Sequence, residues 1–281
     1  MQIGIIHPGE MGISVAASAR NSGHEIFWAS EGRGEKTRAR AEKHGLNDAD
    51  SLVNLCNVCS IIISVCPPHA AEDVARQVTE AGFHGLYLDA NAVSPMRSKS
   101  LGTMMRTAGI DFVDGGIIGP PAWKRGQTWL YLSGERADKI AACFTNGPLE
   151  TNIIGEEIGK ASALKMCYAA YSKGTSALLS AILATAEQYN VRTELNQHWD
   201  MDESDFAEQT ERRVRRVTAK AWRFAGEMDE IASTFAAAGL PSGFHESAAE
   251  IFRRMAGFKD SSTLPELDEV LASLQKQNPT E

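Results

Sequence analysis

The feature that most constrains the fold is the N-terminal segment "IGIIHPGEMG", in which a short apolar run leads into a turn and then into a small-residue helix. A dinucleotide-binding turn has the pattern Gly-x-Gly-x-x-Gly at such a place. The second and third glycines are present as Gly9 and Gly12, and His7 occupies the position of the first. The second glycine lets the backbone approach a pyrophosphate, and the third lets helix and strand pack closely. A nucleotide-binding turn is therefore predicted if His7 keeps allowed backbone dihedrals; a glycine-rich turn without a ligand is the alternative.

Strand-like and helix-like segments alternate over residues 1–155. This alternation predicts an α/β architecture, a Rossmann-type doubly wound parallel sheet. The predicted strands are "QIGII", "HEIFWAS", "SIIISV", "LYLDA", "IDFVDGG" and "TWLYLSG", and the predicted helices cover residues 11–20, 35–44, 69–82 and 95–109.

Residues 156–281 are predicted to form an all-helical domain. A long helix is expected over 159–189, which lacks proline, and an amphipathic one over 206–224, where apolar residues recur at three- and four-residue steps. Two further helices fit near 226–238 and 244–256. We expect "HWDMDESD" to be an acidic loop. The arginines of "ERRVRRVTAK" are expected on a solvated helix face, with contact to an anionic substrate or to a partner subunit as the alternative.

Composition narrows the function classes. The 281 residues include 43% hydrophobic residues, enough for a sizeable core, and the net charge of −8 disfavours nucleic-acid binding. No apolar run reaches the ~20 residues of a membrane helix. Five cysteines, an odd number, fit reduced thiols, and a soluble cytoplasmic protein is expected. Cys56 and Cys59 form a CxxC without a second cysteine pair, so buried thiols are favoured over a redox or metal site.

The end of the second strand bears on the choice of cofactor. An acidic residue there would accept a hydrogen bond from the ribose 2′-hydroxyl of NAD and repel the 2′-phosphate of NADP. Ser30 occupies this position, and Arg33 follows and can bind a phosphate. NADP is therefore favoured, although Glu31 beside Ser30 leaves NAD open.

Several segments together resemble the β-hydroxyacid dehydrogenase family, which includes 3-hydroxyisobutyrate and 6-phosphogluconate dehydrogenases. The matching stretches are "IGIIHPGEMG", "GHEIFWAS", "IIISVCPP", "LDANAVSP", "FVDGGIIGPP", "GQTWLYLSG" and "GKASALKMCYAAYSKG". The tail "GEMDEIASTFAAAGLPSGFHESAAEIF" most resembles the branch with a phosphogluconate dehydrogenase-like C-terminal domain. The resemblance implies hydride transfer between NAD(P) and a small hydroxy acid or keto acid, and a homodimer formed through the helical domain.

The resemblance also implies roles for individual residues. The catalytic lysine of the family falls on Lys165, which would act as general acid and base, and Asn91 falls near the nicotinamide and the substrate. Tyr168 is a second proton-donor candidate, because it follows Lys165 by three residues on one helix face. The implied cofactor-binding residues are His7, Pro8, Gly9, Glu10, Met11, Gly12, Ser30, Arg33, Val65, Cys66, Pro67 and Asn91. The implied substrate-binding residues are Gly116, Ile117, Ile118, Gly119 and His245, although a structural role for His245 is the simpler interpretation.

Three departures from the family pattern bear on the substrate. Ile118 replaces a serine, Ala169 replaces an asparagine four residues after Lys165, and Gly226–Met228 replace a Lys-Asp pair. Two alternatives therefore stay open: an imine or ketimine reductase on the same scaffold, and a non-catalytic NADP-binding regulator. No metal, membrane or nucleic-acid partner is expected, and the expected partners are a small-molecule substrate and a second copy of the chain.

Overall fold

The chain folds into two compact units, Met1–Met166 and Cys167–Glu281. The computed structural model describes residues 1–259, 261 and 263–275. The boundary predicted at residue 155 falls in the connection between the last strand, which ends at Ile153, and the long helix, which begins at Lys160.

The first unit contains, within the described residues, an eight-stranded sheet of order β3-β2-β1-β4-β5-β6-β7-β8. The order reverses beside β1, as in a Rossmann fold, which confirms the predicted fold class. Neighbouring strands are parallel except for β6 and β7, which pair antiparallel and so depart from the all-parallel prediction. The strands are β1 (Gln2–Ile6), β2 (Glu25–Trp28), β3 (Asn47–Asp48), β4 (Ile61–Ser64), β5 (Leu86–Asp89), β6 (Asp111–Ile118), β7 (Trp129–Ser133) and β8 (Glu150–Ile153).

Helices cover both faces of this sheet. Along β4, Ile61 and Ile63 enter one hydrophobic cluster and Ile62 enters the other, as the two-residue period of a strand requires. Burial on both faces explains why "SIIISV" is continuously apolar. The helices of this unit are α1 (Glu10–Asn21), α2 (Glu35–Lys43), α3 (Leu52–Val58), α4 (Ala71–Glu80), α5 (Pro95–Thr107) and α6 (Ala137–Ala141).

The second unit is helical, as predicted, but two local predictions are wrong. The helices expected at 206–224 and 226–238 are one continuous helix, because the buried stripe runs on through Met228 and Ile231 and Gly226 does not interrupt it. The expected acidic loop is largely helical, since residues 198–202 are the last turns of α8. The helices are α7 (Lys160–Gln188), which begins in the first unit, α8 (Arg192–Asp202), α9 (Phe206–Ala237), α10 (Gly243–Arg254) and α11 (Leu267–Gln275).

Three further observations concern membrane-spanning helices, the cysteine pair and metal sites. Across the part of the chain that the structure describes, no helix is both long and apolar enough to cross a membrane. Cys56 and Cys59 are buried, and burial raises their thiol pKa values to about 11 and 12, so both are neutral at physiological pH. The described residues contain no group of side chains arranged to hold a metal ion.

Candidate nucleotide and substrate site

The turn after β1 has the backbone of a glycine turn although it begins with a histidine. His7 has φ of 64°, in the left-handed region that few non-glycine residues occupy. Its carbonyl accepts a hydrogen bond of 2.7 Å from the Gly9 N–H, which closes the turn. His7 therefore adopts the left-handed conformation that glycine takes most readily.

Gly12 fulfils the packing role expected of the third glycine. A Cβ atom at this position would lie 2.5 Å from the His7 carbonyl oxygen, so only glycine lets α1 approach the turn this closely. The free N–H groups and the positive dipole end of α1 therefore lie directly behind the turn, an arrangement suited to phosphate. The Pro8 carbonyl accepts a hydrogen bond of 3.3 Å from Arg40 of α2, which links the turn to that helix. Glu10 is exposed, and Met11 packs on the core.

The loop after β2 presents two arginines with different environments. Arg38 donates from Nη2 to the Ser30 carbonyl at 2.7 Å and from Nε to the Arg33 carbonyl at 3.1 Å, so it holds the loop backbone. Arg33 has a buried Nε without a partner among the described residues. Its positive charge acts on His7, so its guanidinium lies near the turn. A buried, unpaired guanidinium donor beside a helix N-terminus fits a phosphate group of a dinucleotide.

His7 adds a neutral polar group to this turn. Burial, reinforced by the charge of Arg33, lowers its pKa from 6.5 to about 4. Its Nδ1 is buried and has no partner within the described part of the chain. The imidazole is therefore neutral at physiological pH and can offer a hydrogen bond to a ligand at the turn.

Asn91 joins the carboxyl ends of β4 and β5. Its Oδ1 accepts from the Cys66 N–H at 2.5 Å, and its Nδ2 donates to the Ser64 hydroxyl at 3.1 Å. Its own N–H donates to Asp89 at 2.8 Å. Because both side-chain atoms of this buried residue are engaged, it fixes the segment Val65–Pro67 beside the nucleotide turn. Burial raises the pKa of the Cys66 thiol to about 12, so that thiol is protonated.

Asp89 is a buried acid that the sequence did not single out. Burial raises its pKa from 3.8 to about 7. Its Oδ2 has no hydrogen-bond partner among the residues described. A signal was present in the sequence, since a charged residue ends the otherwise apolar strand "LYLD".

The segment Gly116–Gly119 is mostly strand rather than loop. Ile117 and Ile118 are the last residues of β6, and their side chains are buried. Gly119 is exposed with φ of 127°, and a Cβ there would clash with the Gln127 carbonyl oxygen. The chain therefore turns away from the strand at Gly119.

Lys165 is brought to this strand end by a close approach of α7 to β6. Its Nζ donates to the Ile117 carbonyl at 2.6 Å. A Cβ on Gly116 would lie 2.6 Å from the Ala161 carbonyl oxygen and 3.1 Å from Cβ of Lys165. Gly116 thus serves packing, because only glycine permits this distance between the strand and the helix that carries the amine.

The two remaining candidates belong to the second unit. Tyr168 is 47% exposed, so its phenol is not a core group. His245 is buried, with its ring centroid 4.2 Å from that of Phe235 and 5.2 Å from that of Phe244. Burial lowers its pKa, and its buried Nδ1 has no hydrogen-bond partner among the described residues.

Two family models match parts of the chain. Residues 2–92 match the family described as NADP oxidoreductase, coenzyme F420-dependent, and residues 186–255 match a domain of unknown function, DUF1932. An uncharacterized 28.5 kDa protein in the 7S RNA 5′ region of Methanothermus fervidus is 31% identical over 196 residues, 69% of this chain and 74% of that protein.

Solved structures with a similar fold cover nearly the whole chain. The conserved protein MTH1747, of unknown function and structurally similar to 3-hydroxyacid dehydrogenases, has a TM-score of 0.67 at 26% identity, covering 92% of this chain and 97% of that one. 3-Hydroxyisobutyrate dehydrogenase of Salmonella typhimurium has a TM-score of 0.71 at 14% identity, covering 97% and 99%. Imine reductases share the fold, and that of Myxococcus stipitatus, with NAD+, has a TM-score of 0.56 at 18% identity over 98% and 99%.

These matches agree with the observed architecture. An NAD(P)-binding Rossmann unit, which the first family model matches over residues 2–92, is followed along the chain by a helical unit, which DUF1932 matches over residues 186–255. The chain belongs to the β-hydroxyacid dehydrogenase family.

Proposed function

We propose that this protein is an NADP(H)-dependent oxidoreductase that transfers a hydride between NADP(H) and a small hydroxy acid or the corresponding keto acid. The observation that carries the proposal is the 2.6 Å hydrogen bond from Lys165 Nζ to the Ile117 carbonyl. This bond fixes a lysine amine beside the end of β6, the segment in which the family resemblance implies substrate binding. A lysine held in such a place can act as general acid and base.

The cofactor would be held by the residues of the nucleotide turn, with Arg33 directed to the 2′-phosphate. Ser30 supports NADP over NAD, because it introduces no negative charge where that phosphate would lie. The segment Val65–Pro67 and Asn91 would flank the nicotinamide. When bound, the cofactor supplies or accepts the hydride.

Lys165 would supply the proton chemistry. In reduction its ammonium group gives a proton to the substrate carbonyl oxygen, and in oxidation the neutral amine takes the hydroxyl proton. The Ile117 carbonyl holds the amine in place between these steps. A group in this role typically contributes about 10²–10⁴-fold to the rate.

An imine or ketimine reductase is the second candidate, and a specific observation favours it. Ile118 and Ala169 are buried apolar residues at the positions where the family has a serine and an asparagine. These polar side chains are absent from the positions that the family resemblance links to substrate binding. A substrate without a carboxylate would not require them, and the exposed Tyr168 could then be the proton donor.

A substrate panel with two variants tests the proposal. Hydroxy acids, keto acids and cyclic imines are assayed with NADP(H), NADP(H) affinity being measured in parallel by titration calorimetry. Lys165→Met keeps the apolar stem and removes the amine, so it should lower kcat by about 10²–10⁴-fold while leaving NADP(H) affinity unchanged. Lys160→Met, at an exposed lysine at the start of the same helix, is the matched control and should leave kcat unchanged.

The other outcomes identify the alternatives. A Lys165→Met enzyme that keeps more than about a tenth of the wild-type kcat would exclude the proposed role. Turnover of imines alone, lost in Tyr168→Phe, would identify the second candidate. Tight NADP(H) binding without turnover of any substrate would instead support a regulatory protein.

A further inference from the structure

A buried carboxylate near the middle of β6 holds the start of α7. Asp114 is 1% exposed and accepts five hydrogen bonds from described residues. The hydroxyls of Ser98 and Ser162 donate to Oδ1 at 2.9 and 2.6 Å. The hydroxyl of Ser133 donates to Oδ2 at 2.9 Å, and the backbone N–H groups of Gly159 and Ser162 each donate to it at 3.0 Å.

These bonds satisfy the N-terminus of the helix that carries Lys165. The first N–H groups of a helix have no partner within the helix and carry partial positive charge, so a carboxylate stabilises them well. Ser133 extends the arrangement, because its hydroxyl oxygen accepts from the Ala161 N–H at 3.1 Å. Side chains of β6 and β7 therefore bind three N–H groups around the first turn of α7.

The same carboxylate lies three residues from the acceptor of the Lys165 amine. Asp114 and Ile117 are both on β6, and Ser162 and Lys165 are both on α7. Both partners of the Lys165–Ile117 hydrogen bond thus belong to elements that Asp114 ties together. A small shift of α7 along β6 would break a contact of 2.6 Å.

We propose that Asp114 is a positioning residue, whose carboxylate sets the register of α7 on β6 and thereby places the Lys165 amine on the Ile117 carbonyl. The catalytic consequence rests on the role proposed for Lys165 above, whereas the placement itself does not. A capping role alone needs a single acceptor from a Ser, Thr, Asn or Asp side chain. Here the acceptor is ionisable, fully buried and bound by groups from α5, β7 and α7.

The reactivity of individual lysines tests the placement without a substrate. The folded full-length protein is treated with a trace of isotopically labelled acetic anhydride from pH 7 to pH 10, and the acetylation rate of each lysine is read by peptide mass spectrometry. In Asp114→Ala, the Lys165 rate should rise about tenfold, the factor that corresponds to losing one hydrogen bond of a charged donor. The pH profile should change for Lys165 and not for Lys36, which is exposed on α2.

Three further variants distinguish a specific effect on the position of the Lys165 amine from a general loss of stability. Ser162→Ala removes one donor on α7, and it should raise the Lys165 rate by a smaller factor. Ser98→Ala is the matched control: it removes a donor to the same carboxylate from α5, and it should leave the Lys165 rate unchanged. Asp114→Asn should be the most stable of the Asp114 variants. Its NH₂ group can donate to the hydroxyl oxygens of Ser98 and Ser162, because a serine hydroxyl can accept a hydrogen bond as well as donate one.

If Asp114→Ala fails to fold, Asp114→Asn and Ser162→Ala decide the matter. A folded variant of lowered stability with an unchanged Lys165 rate and pH profile would overturn the proposal. An increased Lys165 rate in a protein whose Lys165→Met variant retains full kcat would support the positioning role and refute the catalytic one. The two failures are therefore distinguishable.

Discussion

At the scale of single residues, Arg33 in the loop after β2 and Arg38 in the first turn of α2 differ in their hydrogen bonds. Arg38 donates hydrogen bonds to the Ser30 and Arg33 carbonyls, whereas the buried Nε of Arg33 has no partner among the described residues. A guanidinium whose donors are already engaged positions the loop, and one with an unpaired donor can receive an anion. The two arginines should therefore respond differently to substitution.

Arg33→Ala should weaken NADP(H) binding by about tenfold or more and leave NAD(H) binding nearly unchanged, because only NADP has a 2′-phosphate to lose. Arg38→Ala is the comparison, and it should weaken both cofactors alike, since it releases the loop backbone. Titration calorimetry with both cofactors measures the four affinities. Equal losses of NADP(H) and NAD(H) affinity in Arg33→Ala would contradict the assignment.

His7 links the stability of the chain to pH. Its pKa is about 4 in the folded protein, against 6.5 ordinarily, so folding keeps neutral a group that the unfolded chain protonates. Its contribution to stability is complete above pH 6.5 and is lost as the pH falls from 6.5 toward 4. In His7→Asn, which tolerates the left-handed backbone, this dependence should disappear.

Urea unfolding at pH 7 and pH 5 measures the effect. The free energy of unfolding of the wild type should fall by about 1–2 kcal/mol more than that of His7→Asn over this interval. The raised pKa of Asp89 acts in the same range but is common to both proteins and cancels in the difference. Equal pH dependence of the two proteins would show that His7 is not the group responsible.

At the scale of elements, segments with a strong apolar or helical pattern were predictable from the sequence, and segments with a weak pattern were not. The continuous apolar run of β4 and the small-residue helix α1 follow directly from the sequence. The two-residue strand β3 and the short helices α3 and α6 carry too little periodicity to stand out. At Gly226 the sequence predicted a break between two helices, whereas α9 continues through it. Burial along α9 outweighs the roughly 1 kcal/mol that glycine costs in a helix.

The candidate site divides in the same way. Gly9 and Gly12 stand out by their place in the turn pattern, and the family resemblance points to Lys165. The partners of Asp114 lie 16 to 48 residues away along the chain, so its role as a helix cap follows from tertiary contacts alone. The partners of Arg38 lie only 5 and 8 residues away, but its role as a backbone anchor depends on the conformation of an irregular loop, which no sequence pattern specifies.

Gly116→Ala should lower the free energy of unfolding by about 1–3 kcal/mol, the range for adding a methyl group to a packed interior. The added Cβ would meet the Ala161 carbonyl oxygen at 2.6 Å, so α7 has to move. Gly243→Ala is the control, since nothing lies within 4 Å of its added Cβ, and it should be neutral or stabilise by about 0.4–1 kcal/mol. Thermal or urea unfolding compares them, and equal effects would argue against the close approach of α7 to β6.

At the scale of the whole molecule, the second unit leaves apolar side chains of α7 in contact with solvent. Tyr171 is 71% exposed and Leu178 is 45% exposed, two turns apart on one helix face, with Tyr168 one turn before Tyr171. Repeated exposure along one face distinguishes this stripe from scattered surface apolar residues, which are normal. Such a face is typical of a helix that packs against a partner.

We therefore expect a homodimer in which the Tyr168–Tyr171–Leu178 face of α7 contacts a second copy of the chain. Light scattering on the wild type should give about twice the 30.4 kDa of one chain. Because each copy in a symmetric interface would bury two charges, the double variant Tyr171→Glu, Leu178→Glu should shift the protein to the monomer at micromolar concentration. Lys220→Glu, at an exposed position of α9, introduces the same side chain elsewhere and should leave the dimer intact. A wild-type monomer would contradict the expectation, and a dimer that survives the double variant would place the interface on another surface.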